Sequence, residues 1–228
     1  MMAKHAQAMK RHLQFLKDLR GEERQVPGRL KELKAWQARR LEATYADIAT
    51  QPRYEAATRF FLDDLYGPKD FSSRDEAMMR IVPVMSRLLP DSAIETAALA
   101  VQLEALSEDL DHRLAEALPP GPIDDEGYAA AYRATSKRAE RRLQIDLVDA
   151  VGRRLDALVH KPLVHRTLKL MRQPARLAGM QDLQDFLERG FEAFRGMDGA
   201  GGFLELVRER ETAILNRLFS GKPDPFSA

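Results

Sequence analysis

Leu118-Pro119-Pro120-Gly121-Pro122-Ile123-Asp124-Asp125-Glu126 separates two long runs of helical periodicity, and its reading decides how the chain folds. The prolines and the glycine stop any helix that enters the segment. The three acidic residues that end it suit the positive end of a helix dipole and mark the next start. Upstream, Leu99, Leu103, Leu106, Leu110 and Leu114 recur at helical spacing, after Pro90-Asp91-Ser92-Ala93-Ile94-Glu95, which reads as a capping box. Downstream, Tyr128, Tyr132, Thr135, Ala139, Leu143, Leu147, Val151, Leu155 and Leu158 keep register through one helix of about 30 residues. Two long helices joined by a short turn predict an antiparallel hairpin as the spine of a bundle.

Working outward, Ala6, Met9, Leu13 and Leu16 make an N-terminal amphipathic helix that Gly21 ends. Pro27 opens a second, with Leu30, Leu33, Trp36, Leu41, Tyr45 and Ile48 as its buried stripe and Trp36 as its anchor. After the hairpin, Lys161-Pro162 starts a shorter helix through Leu163, Leu168 and Met171. Leu183, Phe186, Leu187, Phe191 and Phe194 build an aromatic-rich one, and Phe203 to Phe219 the last. No period repeats and no β-branched alternation is sustained. The expectation is an all-α, single-domain bundle over 1–228, of about eight or nine helices. Residues 1–25 can dock as a separate N-terminal helix, and 221–228 read as a flexible tail.

With 44% hydrophobic and 31% charged residues, the chain can bury a core and stay soluble. Cysteine is absent, which excludes disulfides, thiolate nucleophiles and Cys-built zinc sites, and fits a reducing compartment. No apolar run approaches a signal-peptide core or the roughly 18 residues of a spanning helix, so no transmembrane segment is expected and the cytoplasm is the assigned location. Charge is unevenly spread: residues 91–126 carry 10 acidic and 1 basic side chains, and residues 127–176 carry 12 basic and 4 acidic. In an antiparallel hairpin these segments neutralise each other; the alternative is a basic face for nucleic acid or another anionic partner.

The least generic stretch is Phe60-Phe61-Leu62-Asp63-Asp64-Leu65-Tyr66-Gly67-Pro68-Lys69-Asp70-Phe71. At 100° per residue Asp63 faces water and Asp64 sits at the edge of the Tyr54, Ala57, Phe61, Leu65 stripe. Asp64 therefore needs a donor, with Lys69 and Arg74 nearest in sequence, while Asp63 can pair with Arg59. Gly67-Pro68 ends the helix, and Ser73-Arg74-Asp75-Glu76 reads as a capping box that restarts it. Asp64, Tyr66, Lys69, Asp70, Arg74 and Asp75 thus form the candidate functional or structural corner.

Other constellations favour bland readings. Glu108 and Asp109 lie four and three residues before His112, but no second carboxylate stands three residues before a histidine to complete a di-metal site, and the cluster reads as a solvated face. His160 and His165 are candidate haem ligands beside Phe186, Phe191 and Phe194. Gly199-Ala200-Gly201-Gly202 lacks the Lys-Ser/Thr of a phosphate loop and reads as a turn. Arg138, Arg141, Arg142, Arg153 and Arg154 can touch phosphates, but no nucleic-acid reading motif accompanies them. No catalytic residue, metal site or cofactor is assigned.

Phe60 to Tyr66 with the following Gly67-Pro68-Lys69-Asp70-Phe71 resembles the signature of the FFLEELY-motif proteins, a bacterial family. Met171 to Gly179 and Leu183 to Phe191 are similar to it as well. Here the motif's paired Glu are Asp63 and Asp64, which keep the charge and shorten the reach. The resemblance implies a bacterial, cytoplasmic protein and brings no reaction with it. The functional expectation is a non-enzymatic interaction or scaffold protein with a protein partner; the alternative is a small-molecule or haem-binding sensor, and nucleic-acid binding ranks third. Homo-oligomerisation stays open.

Overall fold

The computed structural model describes residues 2–21, 27–65, 77–83, 87 and 89–226. They form α1 (Met2–Gly21), α2 (Pro27–Ala49), α3 (Glu55–Phe60) running into a π-helical turn at Phe61–Leu65, α4 (Asp91–Ala117), α5 (Asp125–Thr135), α6 (Arg138–Val159), α7 (Pro162–Leu170), α8 (Arg172–Leu177), α9 (Gln181–Gly196) and α10 (Gly201–Ser220). Residues 77–83 add a further helical stretch. The protein is an all-α bundle, with no strand among the described residues.

The hairpin forms between α4 and α6. Glu95 pairs with Arg154 at 2.8 Å, Gln144 donates to Ser107 at 2.8 Å, and Arg113 pairs with Glu140 at 3.3 Å, so one sequence ascends as the other descends. Arg29 of α2 ties down the proline-rich turn by donating to the carbonyls of Pro119 and Gly121. The downstream helix is not continuous, however. Thr135 Oγ1 bonds back to the Ala131 carbonyl at 2.8 Å, and the Lys137 amide donates to the Glu140 carboxylate at 2.9 Å, a capping contact that starts a new helix. The break turns α6, so that Ala139 and Leu143, expected in the core stripe, are exposed. The capping box at the head of α4 does not form either: Pro90 takes the N-cap, Ser92 accepts from Lys161 Nζ at 3.0 Å, and Glu95 is held by Arg154.

α4 lies at the centre. Its buried face is Ile94, Ala98, Val101 and Ala105 with Leu110 and Leu114 further on, while Leu99, Leu103 and Leu106 are only half-buried. Small side chains there let α1 lie close, and Met9, Leu13 and Leu16 join Ala77, Met78 and Val82 around them. A second cluster gathers Leu30, Leu33, Trp36, Leu114, Leu118, Tyr128, Tyr132 and Leu215. A third gathers Leu41, Ile48, Ala57, Val159, Phe191, Phe194 and Phe203. The expected flexible tail instead folds back: Pro225 is buried, and Phe226 packs edge-on to Trp36 at 5.5 Å and Tyr128 at 5.7 Å. Trp36 itself stacks on Tyr128 at 4.3 Å.

Two helical glycines permit close approach. A Cβ on Gly152 of α6 would stand 2.3 Å from Leu204 Cδ2 of α10, and one on Gly190 of α9 would stand 2.7 Å from the Phe60 ring. Helix propensity alone makes Gly152→Ala stabilising by roughly 0.5–1 kcal/mol, whereas overpacking opposes it by about 1–3 kcal/mol. The expected net effect in urea denaturation is therefore a loss on the order of 1 kcal/mol; a gain would show that α6 and α10 are not in this contact.

Candidate functional site

Asp64 is buried on the π-helical turn, and its carboxylate accepts from Arg189 of α9 through Nε at 3.1 Å and Nη2 at 2.9 Å. Sequence proximity pointed to Lys69 or Arg74; this donor comes from 125 residues away. Tyr66, Lys69, Asp70, Arg74 and Asp75 lie outside the described residues, as do the Gly67-Pro68 stop and the Ser73 capping box. Asp63 is exposed as the helical angles require, but Arg59 turns back to Glu55 at 2.7 Å. Beside Arg189, Gly190 admits the buried Phe60 ring, which packs on Phe186 at 5.4 Å. The π-helical turn also shifts the inward face to Ala57, Thr58, Phe60 and Asp64, leaving Phe61 half-buried. Asp64 with Arg189 is a bidentate clasp between α3 and α9, a geometry that holds position well.

A larger polar constellation lies inside the bundle. Glu108, read from sequence as part of a solvated face, is 6% exposed. Lys34 Nζ of α2 reaches it at 2.7 Å, Arg20 Nη2 of α1 at 3.8 Å, and His112 Nε2 one turn along α4 at 3.7 Å. Arg20 also pairs with Glu104 at 2.9 Å. Asp111 accepts from Gln37 at 2.9 Å, and burial pushes its carboxyl above the ordinary carboxylate range, against the pull of Arg141, the Gln37 hydrogen bond and Lys34. Burial raises the Tyr128 and Tyr132 hydroxyls in the same way.

Arg141 is buried too. Its guanidinium lies over the Tyr132 ring at 4.3 Å, with Nε on Ser136 and Nη1 on Gln144. Further along, Glu211 of α10 binds Arg40 at 2.7 Å and the Tyr45 hydroxyl at 2.8 Å. These carboxylates are committed to cations and amides from other helices, which makes the seam a device for fixing helix register. The hydrogen-bond donors Lys34, Gln37 and Arg40 stand 74 to 171 residues from Glu108, Asp111 and Glu211 in sequence, so no local spacing announces them.

The histidines are engaged as well. His165 stacks on Phe191 at 5.0 Å, with Nδ1 3.1 Å from Arg195 Nη1, and His160 is exposed, with Nε2 3.9 Å from Asp156. Phe194 is buried in the third cluster and, like Phe186, packs on another phenylalanine. Among the described residues no group of three His, Asp or Glu could hold a metal ion. At the head of α10, the Ala200 amide donates to Asp156 at 3.0 Å, and Arg53 binds the carbonyls of Met197, Asp198 and Gly199. The chain's own carboxylate thus takes the place a phosphate would use.

What remains open faces outward. Because Arg20, Lys34 and Arg154 serve the carboxylates of α4, and Arg141 is turned inside, the basic excess of residues 127–176 is carried outside. Between α6 and α10 a shallow depression of about 470 Å³ is lined by Arg138, Ala139, Arg142, Leu215 and Asn216. It continues past Arg142 along Arg208, Glu209, Thr212 and Ala213.

A family model with the description Domain of unknown function (DUF8198) matches residues 16–225. No curated protein and no solved structure matches the chain.

Asp111 gives the seam a pH signature. A carboxyl whose folded pKa is raised binds its proton more tightly in the native state, so its ionised form works against folding above that pKa, and this penalty fades as pH falls through it. Asp111→Asn, which keeps an oxygen for Gln37, is expected to stabilise the protein at neutral pH. The gain should shrink as pH is lowered towards the ordinary carboxylate range. Equilibrium urea unfolding at several pH values measures it, and a loss of stability at neutral pH would contradict the assignment.

Proposed function

Since the chain belongs to the DUF8198 family, whose description carries no activity, its role has to be read from its own surface, and we propose that it is a non-enzymatic interaction protein that receives an acidic, amphipathic helix of a protein partner. The observation that carries this reading is the groove between α6 and α10. Its lining combines the apolar Ala139, Ala213 and Leu215 with the guanidinium groups of Arg138, Arg142 and Arg208. Leu143, one turn beyond Ala139, is 45% exposed and extends the apolar strip. Two helices with a groove between them accept a third that lays its apolar face into the depression, and guanidinium forks in the lining bind carboxylates in bidentate fashion.

The groove arginines are lightly engaged within the chain. Arg142 meets Asp146 at 3.3 Å with both side chains about half exposed, Arg208 approaches Glu205 at 4.0 Å, and among the described residues Arg138 reaches the Asn216 amide oxygen. Exposed pairs of this kind contribute about 0–1 kcal/mol and exchange readily for better partners. The Cys-free composition and the resemblance at Phe60–Tyr66 support a cytoplasmic setting in a bacterium for this role.

A labelled peptide helix with leucines at heptad spacing and glutamates beside them is the direct probe, read by fluorescence anisotropy. Arg138→Glu with Arg142→Glu should weaken its binding at least tenfold without changing the melting temperature by more than a few degrees. Equal binding of a scrambled peptide of the same composition would overturn the reading, as would tighter, steeply salt-dependent binding of duplex DNA, which would put nucleic acid in the groove.

A further inference from the structure

A second surface, on other elements, has a different chemistry. From Ala157 to Gln181 the chain holds no carboxylate, while Lys161, Arg166, Lys169, Arg172 and Arg176 supply five cations. α7 turns Val164 and Leu168 towards the third core cluster and His165 onto Phe191, and it buries no residue completely. Its outward side carries Leu163, 61% exposed, and Leu170, 77% exposed. Seven residues apart on one helix, they lie within about 20° of each other. In α8 only Ala175 is buried; Leu177, about 200° round from it, is 87% exposed. The two helices are pinned from behind: Arg172 forms a two-pronged pair with Glu188 at 2.7 and 2.5 Å, and Gln184 donates to the Leu168 carbonyl at 2.7 Å. Arg166, Lys169 and Arg176 make no ion pair among the described residues.

We propose that Leu163, Leu170 and Leu177, with Arg166, Lys169 and Arg176 beside them, dock α7 and α8 on an anionic lipid surface. Along α7 the strip is one leucine wide. That is narrow for the apolar centre of a protein interface, which takes about 800 Å² from each partner, but it matches a helix lying in the headgroup region with its apolar side chains about 5–10 Å deep. Long basic side chains flanking the leucines reach lipid phosphates while their stems stay apolar. An unbroken run without carboxylates also removes the repulsion that an anionic leaflet would exert. The α6–α10 groove differs on both counts, being recessed and having Glu209 in its lining. Among the described residues no helix is long and apolar enough to cross a membrane.

Co-sedimentation of the full chain with vesicles tests this. Vesicles of phosphatidylcholine containing about one third phosphatidylglycerol should retain the protein at about 0.1 M salt, and phosphatidylcholine alone should not. Leu163→Ser with Leu170→Ser and Leu177→Ser should lower the apparent affinity at least tenfold while leaving the thermal transition in place, because these side chains are exposed. Arg166→Glu with Lys169→Glu and Arg176→Glu should abolish retention. No binding to the anionic vesicles, equal binding to both compositions, or full retention of the serine variant would each overturn the proposal. So would a serine variant that runs as a monomer in sedimentation velocity where the parent runs as a dimer, since the strip would then join copies of this chain.

Discussion

Glu108 lies almost out of reach of water, held between Lys34 at 2.7 Å and Arg20 at 3.8 Å. A carboxylate in that position is tolerated only while its cations stay in place, since an uncompensated buried charge costs several kcal/mol. α1, α2 and α4 are therefore fixed against one another by chemistry as well as by packing, of Leu13 and Leu16 on Ala98 and Val101 and of Leu30 and Leu33 in one cluster with Leu114. The seam then extends through Asp111 with Gln37 and, one turn further along α2, through Arg40 with Glu211 of α10. A helix sliding by one turn would break several of these contacts together, which no purely apolar interface would enforce as sharply.

The same arrangement decides what the outside looks like. Mutual neutralisation of the acidic α4 and the basic segment after it does occur, but only in part: Glu95 meets Arg154, whereas in the pair of Arg113 with Glu140 it is α4 that supplies the cation. Glu104 and Glu108 are served instead by the N-terminal helices. Arg138, Arg142, Arg166, Lys169 and Arg176 are left outward-facing, together with Leu143, Leu163, Leu170 and Leu177. Exposed leucines thus stand among outward-facing cations on two faces, one recessed between α6 and α10 and one along α7 and α8, and these are the surfaces on which the proposed contacts rest.

Period and punctuation made the helices legible from sequence: the proline-rich turn, the stripe of α2 and the amphipathic α9 stand where the residues place them. Breaks set by side-chain capping were harder, because Thr135 and Lys137 look like ordinary helix residues until Ala131 and Glu140 supply their partners. The interior charges were illegible for a deeper reason. Helical period assigns a Glu between Ser107 and Asp109 to water, and only tertiary contact with Lys34 and Arg20 reverses that. At the Asp64 corner the helical angles placed the carboxylate at the edge of the apolar stripe and in need of a donor, while its burial and its bond to Arg189 were not legible, since nothing near either residue encodes the contact. Phe226 shows the same limit, because a short Pro-containing end docks only when Trp36 and Tyr128 offer it a surface.

A double-mutant cycle on Lys34 and Glu108 tests most directly whether this buried charge holds the bundle together. Lys34→Met, Glu108→Gln and the double variant would be compared with the parent by equilibrium urea unfolding at neutral pH. The account predicts a coupling energy of at least about 1.5 kcal/mol, with the double variant more stable than the sum of the single losses implies. A coupling within about 0.3 kcal/mol of zero, as for an exposed pair on a solvated face, would contradict it.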